Sequence, residues 1–70
     1  MRNRVEELRR LHNVTQEELS SDLEVSRQTI SSLENGRYNP SIELAFKIAR
    51  YFKLTIEEIF IYDAEGEDEQ

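Results

Sequence analysis

The 70 residues include no cysteine and no tryptophan, one proline and two glycines. Without cysteine there is neither a disulfide nor a thiolate zinc site to staple so small a domain. Gly36 and Gly66 alone make no glycine-rich phosphate loop. His12 is the single histidine; it lacks partners at ligand spacing and is read as covering the C-terminus of the first helix. No apolar run approaches the ~18 residues of a membrane span. "MRNRVEELRR" lacks the apolar segment of a secretory signal. These absences lead us to expect one small cytoplasmic domain that is not an enzyme. No metal, no cofactor, no small-molecule ligand and no membrane contact are expected. A chain this short buries a modest core, and oligomerisation is the aid that remains open to it.

Charge is the next constraint. The formal net charge is −6, from nine bases and 15 acids. Five of those acids, Asp63, Glu65, Glu67, Asp68 and Glu69, fall in "DAEGEDEQ". Residues 63–70 therefore read as an acidic, solvated, disordered tail, and residues 1–62 as a nearly neutral folded domain. In such a body the placement of the bases matters more than their sum.

Helical signals fill that body. Val5, Leu8 and Leu11 or His12 repeat at helical spacing, and Asn13 suits a left-handed stop, which predicts a first helix near residues 2–12. "TQEEL" is a capping box, Thr15 with Glu18, opening a second helix from Gln16 to about Leu23. Ser26 caps a third helix that ends at "NG". Ser41 caps a fourth, whose apolar face is Leu44, Ala45, Ile48, Ala49 and Phe52. Thr55 and Glu58 form a second box, opening a short fifth helix. The pairs Glu17–Glu18 and Glu57–Glu58 lie in first turns, where the helix dipole favours them; that accounts for them without catalysis. "IFIY", residues 59–62, has strand-like composition and reads as a short strand leaving the fifth helix.

One stretch stands out. "VSRQTISSL", residues 25–33, holds no acid. On a helical wheel Arg27, Gln28, Ser31, Ser32 and Asn35 form one stripe, opposite Ile30 and Leu33, which face Leu19 and Leu23 of the second helix. A solvated surface helix ordinarily mixes Glu and Lys. This stripe offers hydrogen-bond donors instead. An Arg fork fits guanine O6/N7, a Gln amide fits adenine N6/N7, and Ser fits either. Two short helices joined by a three-residue turn suggest a helix-turn-helix, so the stripe reads as a DNA major-groove face.

The run "TQEELSSDLEVSRQTISSLENGRYNPS" resembles the Cro/lambda-repressor-type (XRE family) helix-turn-helix regulators, over about residues 4 to 60. The "YNPS" loop and "EEIF" end are most similar to the very small cytolysin-repressor-like regulators. The resemblance implies an all-α, compact five-helix domain that binds double-stranded DNA as a homodimer at a palindromic operator. It assigns base reading to Arg27, Gln28 and Ser32, with Ser31 as a weaker candidate. It assigns phosphate contacts to Gln16, Asn35, Arg37, Tyr38 and Asn39. Arg9 and Glu34 match a partly buried ion pair. The end of the chain, Ile59, Phe60, Ile61 and Tyr62, is implied to be a dimer interface. The expected function is a sequence-specific transcriptional regulator, read as a repressor. The alternative is an antitoxin-like protein-interaction module in which DNA binding is secondary. Two positions depart from the pattern: Glu24 stands where the turn often has Gly, and Ser20 where the second helix often has Ala.

Overall fold

Side-chain caps set the helix boundaries. A computed structural model describes residues 2–61; Tyr62 and the acidic stretch 63–70 lie outside the described residues. Helices α1 (Val5–Leu11), α2 (Gln16–Leu23), α3 (Arg27–Glu34), α4 (Ile42–Phe52) and α5 (Ile56–Ile59) are joined by a two-stranded antiparallel piece, β1 (Arg2–Asn3) and β2 (Phe60–Ile61). The fold is all-α with this one short ladder. Thr15 and Thr55 each form the full capping box, with Glu18 and Glu58. Ser26 and Ser41 accept from the backbone N–H groups of Thr29 and Leu44. Each hydroxyl satisfies a donor that the first helical turn otherwise leaves open.

The first helix is shorter than its periodicity predicted. Arg2 and Asn3 are strand, paired with Ile61 and Phe60. Asn3 explains the change: its Oδ1 accepts from Val5 N at 3.0 Å, and its Nδ2 donates to the Leu33 carbonyl at 2.9 Å. Arg4 N donates to the Ile59 carbonyl at 2.8 Å. These long-range bonds draw residues 2–4 toward α5 and the end of α3, and a helix there would forfeit them. At the other end of α1, Leu11 points to solvent while the His12 ring packs on Phe52, centroids 5.3 Å apart.

The core lies where the five apolar faces meet. Val5, Leu19, Ile30, Leu33, Ile48 and Ile59 are its fully buried members. Leu44, Ala45, Ala49 and Phe52 bring the inner face of α4 to it. Ser20 is the buried polar residue among those described, and its hydroxyl donates to the Glu17 carbonyl at 2.8 Å. Across the surface, the Tyr51 hydroxyl donates to Asp22 at 2.8 Å, tying α4 to α2 and raising the phenol's pKa. In β2 the alternation of a strand decides exposure: Phe60 turns into the core and Ile61 outward. Ile59 and Phe60, expected at a dimer contact, are buried in the chain's own core, where the four-residue α5 and β2 supply them. Ile61 keeps surface to offer.

Three non-glycine residues carry positive φ: Asn13 (58°), Glu24 (62°) and Lys53 (59°). Glu24 and Lys53 each end a helix in the left-handed conformation. That geometry costs an L-residue about 1–2 kcal/mol, and glycine avoids it at a cost of about 0.5–1 kcal/mol in unfolded-chain entropy. Lys53→Gly is therefore expected to stabilise the fold by about 0.5–1 kcal/mol, the difference of those terms. Urea denaturation monitored by circular dichroism checks this, and a loss of stability would contradict it.

The second capping box is expected to respond to pH. The Glu58 carboxylate accepts from the Thr55 backbone N–H at 2.8 Å, and this bond, followed by the one from the Thr55 hydroxyl, lowers its pKa. A depressed carboxylate contributes stability that is present above its unfolded value and lost as pH falls through the folded one. Titration from about pH 5 to about pH 3, spanning the ordinary Glu value, is expected to shift the Thr55 amide resonance as this bond is lost. The midpoint is expected below the ordinary Glu value.

Candidate nucleic-acid interface

Helix α3 is positioned by its neighbours on three sides. Ile30 and Leu33 lock it against α2, where Leu19 and Leu23 are buried. Asn3 holds the Leu33 carbonyl. Glu34, the single acid of α3, turns inward with 3% of its side chain exposed and meets Arg9, at 12%. Arg9 Nε donates to Glu34 Oε2 at 2.7 Å and Nη2 to Oε1 at 3.4 Å, while Nη1 donates to the Val14 carbonyl at 2.9 Å. Gln16 Nε2 donates to the same Oε1 at 3.0 Å. One carboxylate thus joins α1, α2 and α3. The hydrogen bond that Arg9 donates to Glu34 is the main cause that raises the Arg9 pKa, with desolvation opposing it.

What remains on the outer side of α3 is the donor stripe. Arg27 and Gln28 are exposed in the first turn, and Ser31 and Ser32 are half-buried one turn on. Asn35 is exposed at the C-cap. Gly36, at φ 77°, turns the chain into an exposed loop that carries Arg37, Tyr38 and Asn39. Ser26 fixes the entry to the helix: its Oγ accepts from Thr29 N at 3.0 Å and lies 2.8 Å from the Thr29 hydroxyl. With Glu34 turned inward, α3 presents no carboxylate on this side.

Gln16 lies apart from the stripe, in the first turn of α2. One of its two amide N–H groups is spent on Glu34. It lines a groove of about 680 Å³ together with Arg10, Thr15, Glu17 and Arg27. Arg10 there is held by Glu6 at 2.8 Å. Sequence reasoning did not connect Gln16 to Glu34, because their separation of 18 positions has no local signature. Asn3 was also missed. An Asn just before an apolar helical repeat is a cap-type signal, and it would have started the first helix later. Among the described residues no group of three or more His, Cys, Asp or Glu is arranged to hold a metal ion. No helix among them is long and apolar enough to cross a membrane.

This geometry agrees with comparison to known proteins. A family model described as Helix-turn-helix matches residues 5–59. An "uncharacterized HTH-type transcriptional regulator" of Methanocaldococcus jannaschii is 56% identical over 63 residues, covering 90% of this chain and 96% of that protein. A like-named protein of Archaeoglobus fulgidus is 55% identical over 65 residues, covering 93% and 92%. The HTH-type transcriptional activator BcrR of Enterococcus faecalis is 39% identical over 56 residues, covering 80% of this chain and 28% of that protein. The chain belongs to the Cro/lambda-repressor-type helix-turn-helix regulators.

Within this helix-turn-helix domain the buried pair is the structural hinge-pin. Arg9→Ala would strand the Glu34 carboxylate, and breaking one side of a buried pair costs about 3–5 kcal/mol. Replacing both partners by apolar residues of similar volume costs far less. Thermal and urea melts of Arg9→Ala and of Arg9→Met/Glu34→Leu are expected to show the double variant as the more stable. The reverse order would mean that Glu34 is relieved some other way.

Proposed function

We propose that this regulator is a homodimeric, sequence-specific repressor that inserts α3 into the major groove of a palindromic operator. The observation that carries the proposal is the solvent face of α3: Arg27 and Gln28 in the first turn, Ser31 and Ser32 behind them, and the helix's one acid buried. The first turn of a recognition helix is the part that reaches base edges. Arg27 suits guanine, Gln28 suits adenine, and the serines adapt to either. The second amide N–H of Gln16 and the loop residues Asn35, Arg37, Tyr38 and Asn39 serve as phosphate contacts, which set register without reading sequence. One such helix reads only a few base pairs, and a two-fold partner supplies a second half-site about one DNA turn away. Ile61 is partly exposed at the end of β2, and Tyr62 lies beyond the described residues. The mode of action proposed is steric, with operator occupancy excluding other proteins from the promoter. A DNA-reading role places the protein in the cytoplasm.

Selection from a random DNA pool tests the reading directly, by returning or failing to return a two-fold motif. On the selected operator, Arg27→Ala and Gln28→Ala are each expected to cost about 1–3 kcal/mol, with a smaller effect on random DNA. Arg37→Ala is expected to weaken both about equally and to lower the salt slope by about one unit. Fluorescence anisotropy at fixed salt measures all three. Unchanged operator preference in Arg27→Ala and Gln28→Ala would remove α3 from the groove.

A further inference from the structure

Among the described residues, two large apolar side chains of α4 are strongly exposed, and neither belongs to the donor stripe or the chain end. Ile42 is 74% exposed and Phe46 54%, whereas Ile59 and Phe60 are 0% and 8%. Ile42 and Phe46 are one helical turn apart and share a flank. Ala49 continues that line at the margin of the core, and Lys53 ends it. Beside it run Glu43 and Arg50, seven positions apart and so on nearly the same meridian. Neither makes an ion pair among the described residues. Leu11 is comparably exposed, at 67%, but the surface around it is lined by the charged Glu6, Glu7 and Arg10.

We propose that this flank of α4 is where two copies of the chain pair, antiparallel about a two-fold axis close to Phe46. The proposal rests on the homodimer reading above and gives it a surface. The charge pattern selects a second copy as the occupant. With the acid toward the N-terminus of α4 and the base toward the C-terminus, an axis midway between them sets Glu43 opposite the partner's Arg50, and Arg50 opposite the partner's Glu43. Both pairs form at once, as an isologous contact requires. Phe46, beside the axis, meets its own copy, and Ile42 packs along the seam. Complementary charges of this kind fix register and partner choice more than raw affinity. A helix flank with two large apolar residues is small beside the about 800 Å² per partner of a standard interface, so the dimer is weak in free solution, and a two-fold operator completes it.

The test is charge exchange in the full chain, read by sedimentation velocity at tens of micromolar (about the weak-dimer range,). Wild type is expected to be dimeric, and Glu43→Arg alone and Arg50→Glu alone to be monomeric with at least about tenfold weaker pairing (one 1.4 kcal/mol step,). Mixed together, those two variants satisfy both ion pairs and are expected to recover a dimer close to wild-type affinity. An unfolded chain cannot show that recovery. Phe46→Ala, which alters no charge, is expected to weaken pairing by a similar factor. Single variants that remain dimeric, or a mixture that stays monomeric, would overturn the surface. Anisotropy on operator DNA separates the two layers: a displaced surface leaves two-fold operator binding intact in Glu43→Arg, whereas a wrong DNA reading leaves wild type without sequence preference whatever its sedimentation.

Discussion

A carboxylate almost sealed from water must be matched or neutralised, and Glu34 is matched from two directions. Arg9 reaches it from α1 as a charged fork, and Gln16 reaches it from α2 as a neutral donor. Desolvation of the pair is costly, so its net contribution to stability is small, but the loss of either partner is not. What the arrangement supplies is geometric. Three helices share one acceptor, and the angle between α2 and α3 cannot drift without lengthening one of these bonds. The same inward turn removes the one negative charge of α3 from the side it presents to solvent. Anchoring the fold and leaving the outer face of α3 without a carboxylate are consequences of one rotamer.

The second anchor is apolar. Ile30 and Leu33 have no exposed surface and face the buried Leu19 and Leu23. The turn between α2 and α3 runs through Glu24 at positive φ, a strained choice that the packing on both sides enforces. Hydrophobic burial therefore holds the two helices together while the polar triad sets their relative pose. The Ser26 cap then fixes where the first turn of α3 begins, and with it the direction in which Arg27 and Gln28 project.

Much of this was legible in the sequence, for identifiable reasons. Capping boxes and Ser caps are local, so the starts of α2 through α5 could be read from Thr15, Ser26, Ser41 and Thr55 alone. The donor stripe was legible because helical periodicity sorts α3 into two faces without knowledge of its neighbours. The strand at Arg2–Asn3 was not, because its causes are partners nearly a full chain length away. Periodicity left Leu11 and His12 as alternatives; the choice depends on Phe52, in another helix. The third member of the Glu34 cluster escaped for the same reason. The end of the chain shows a further limit. Composition identified Phe60 and Ile61 as strand-like, but which of them faces inward is set by β2's register against β1.

That ladder has a topological meaning. Arg2 stands beside Ile61, so the described polypeptide is nearly a ring, closed by two residues at each end. Closing a loop of this length costs entropy that grows only slowly with length, and two strand residues per side return little of it. The closure is held instead by Asn3, which grips the last turn of α3, and by Arg4, which grips α5. The clasp of the ring is thus fastened onto α3, so that the two ends of the described polypeptide and the carbonyl end of α3 share one set of hydrogen bonds.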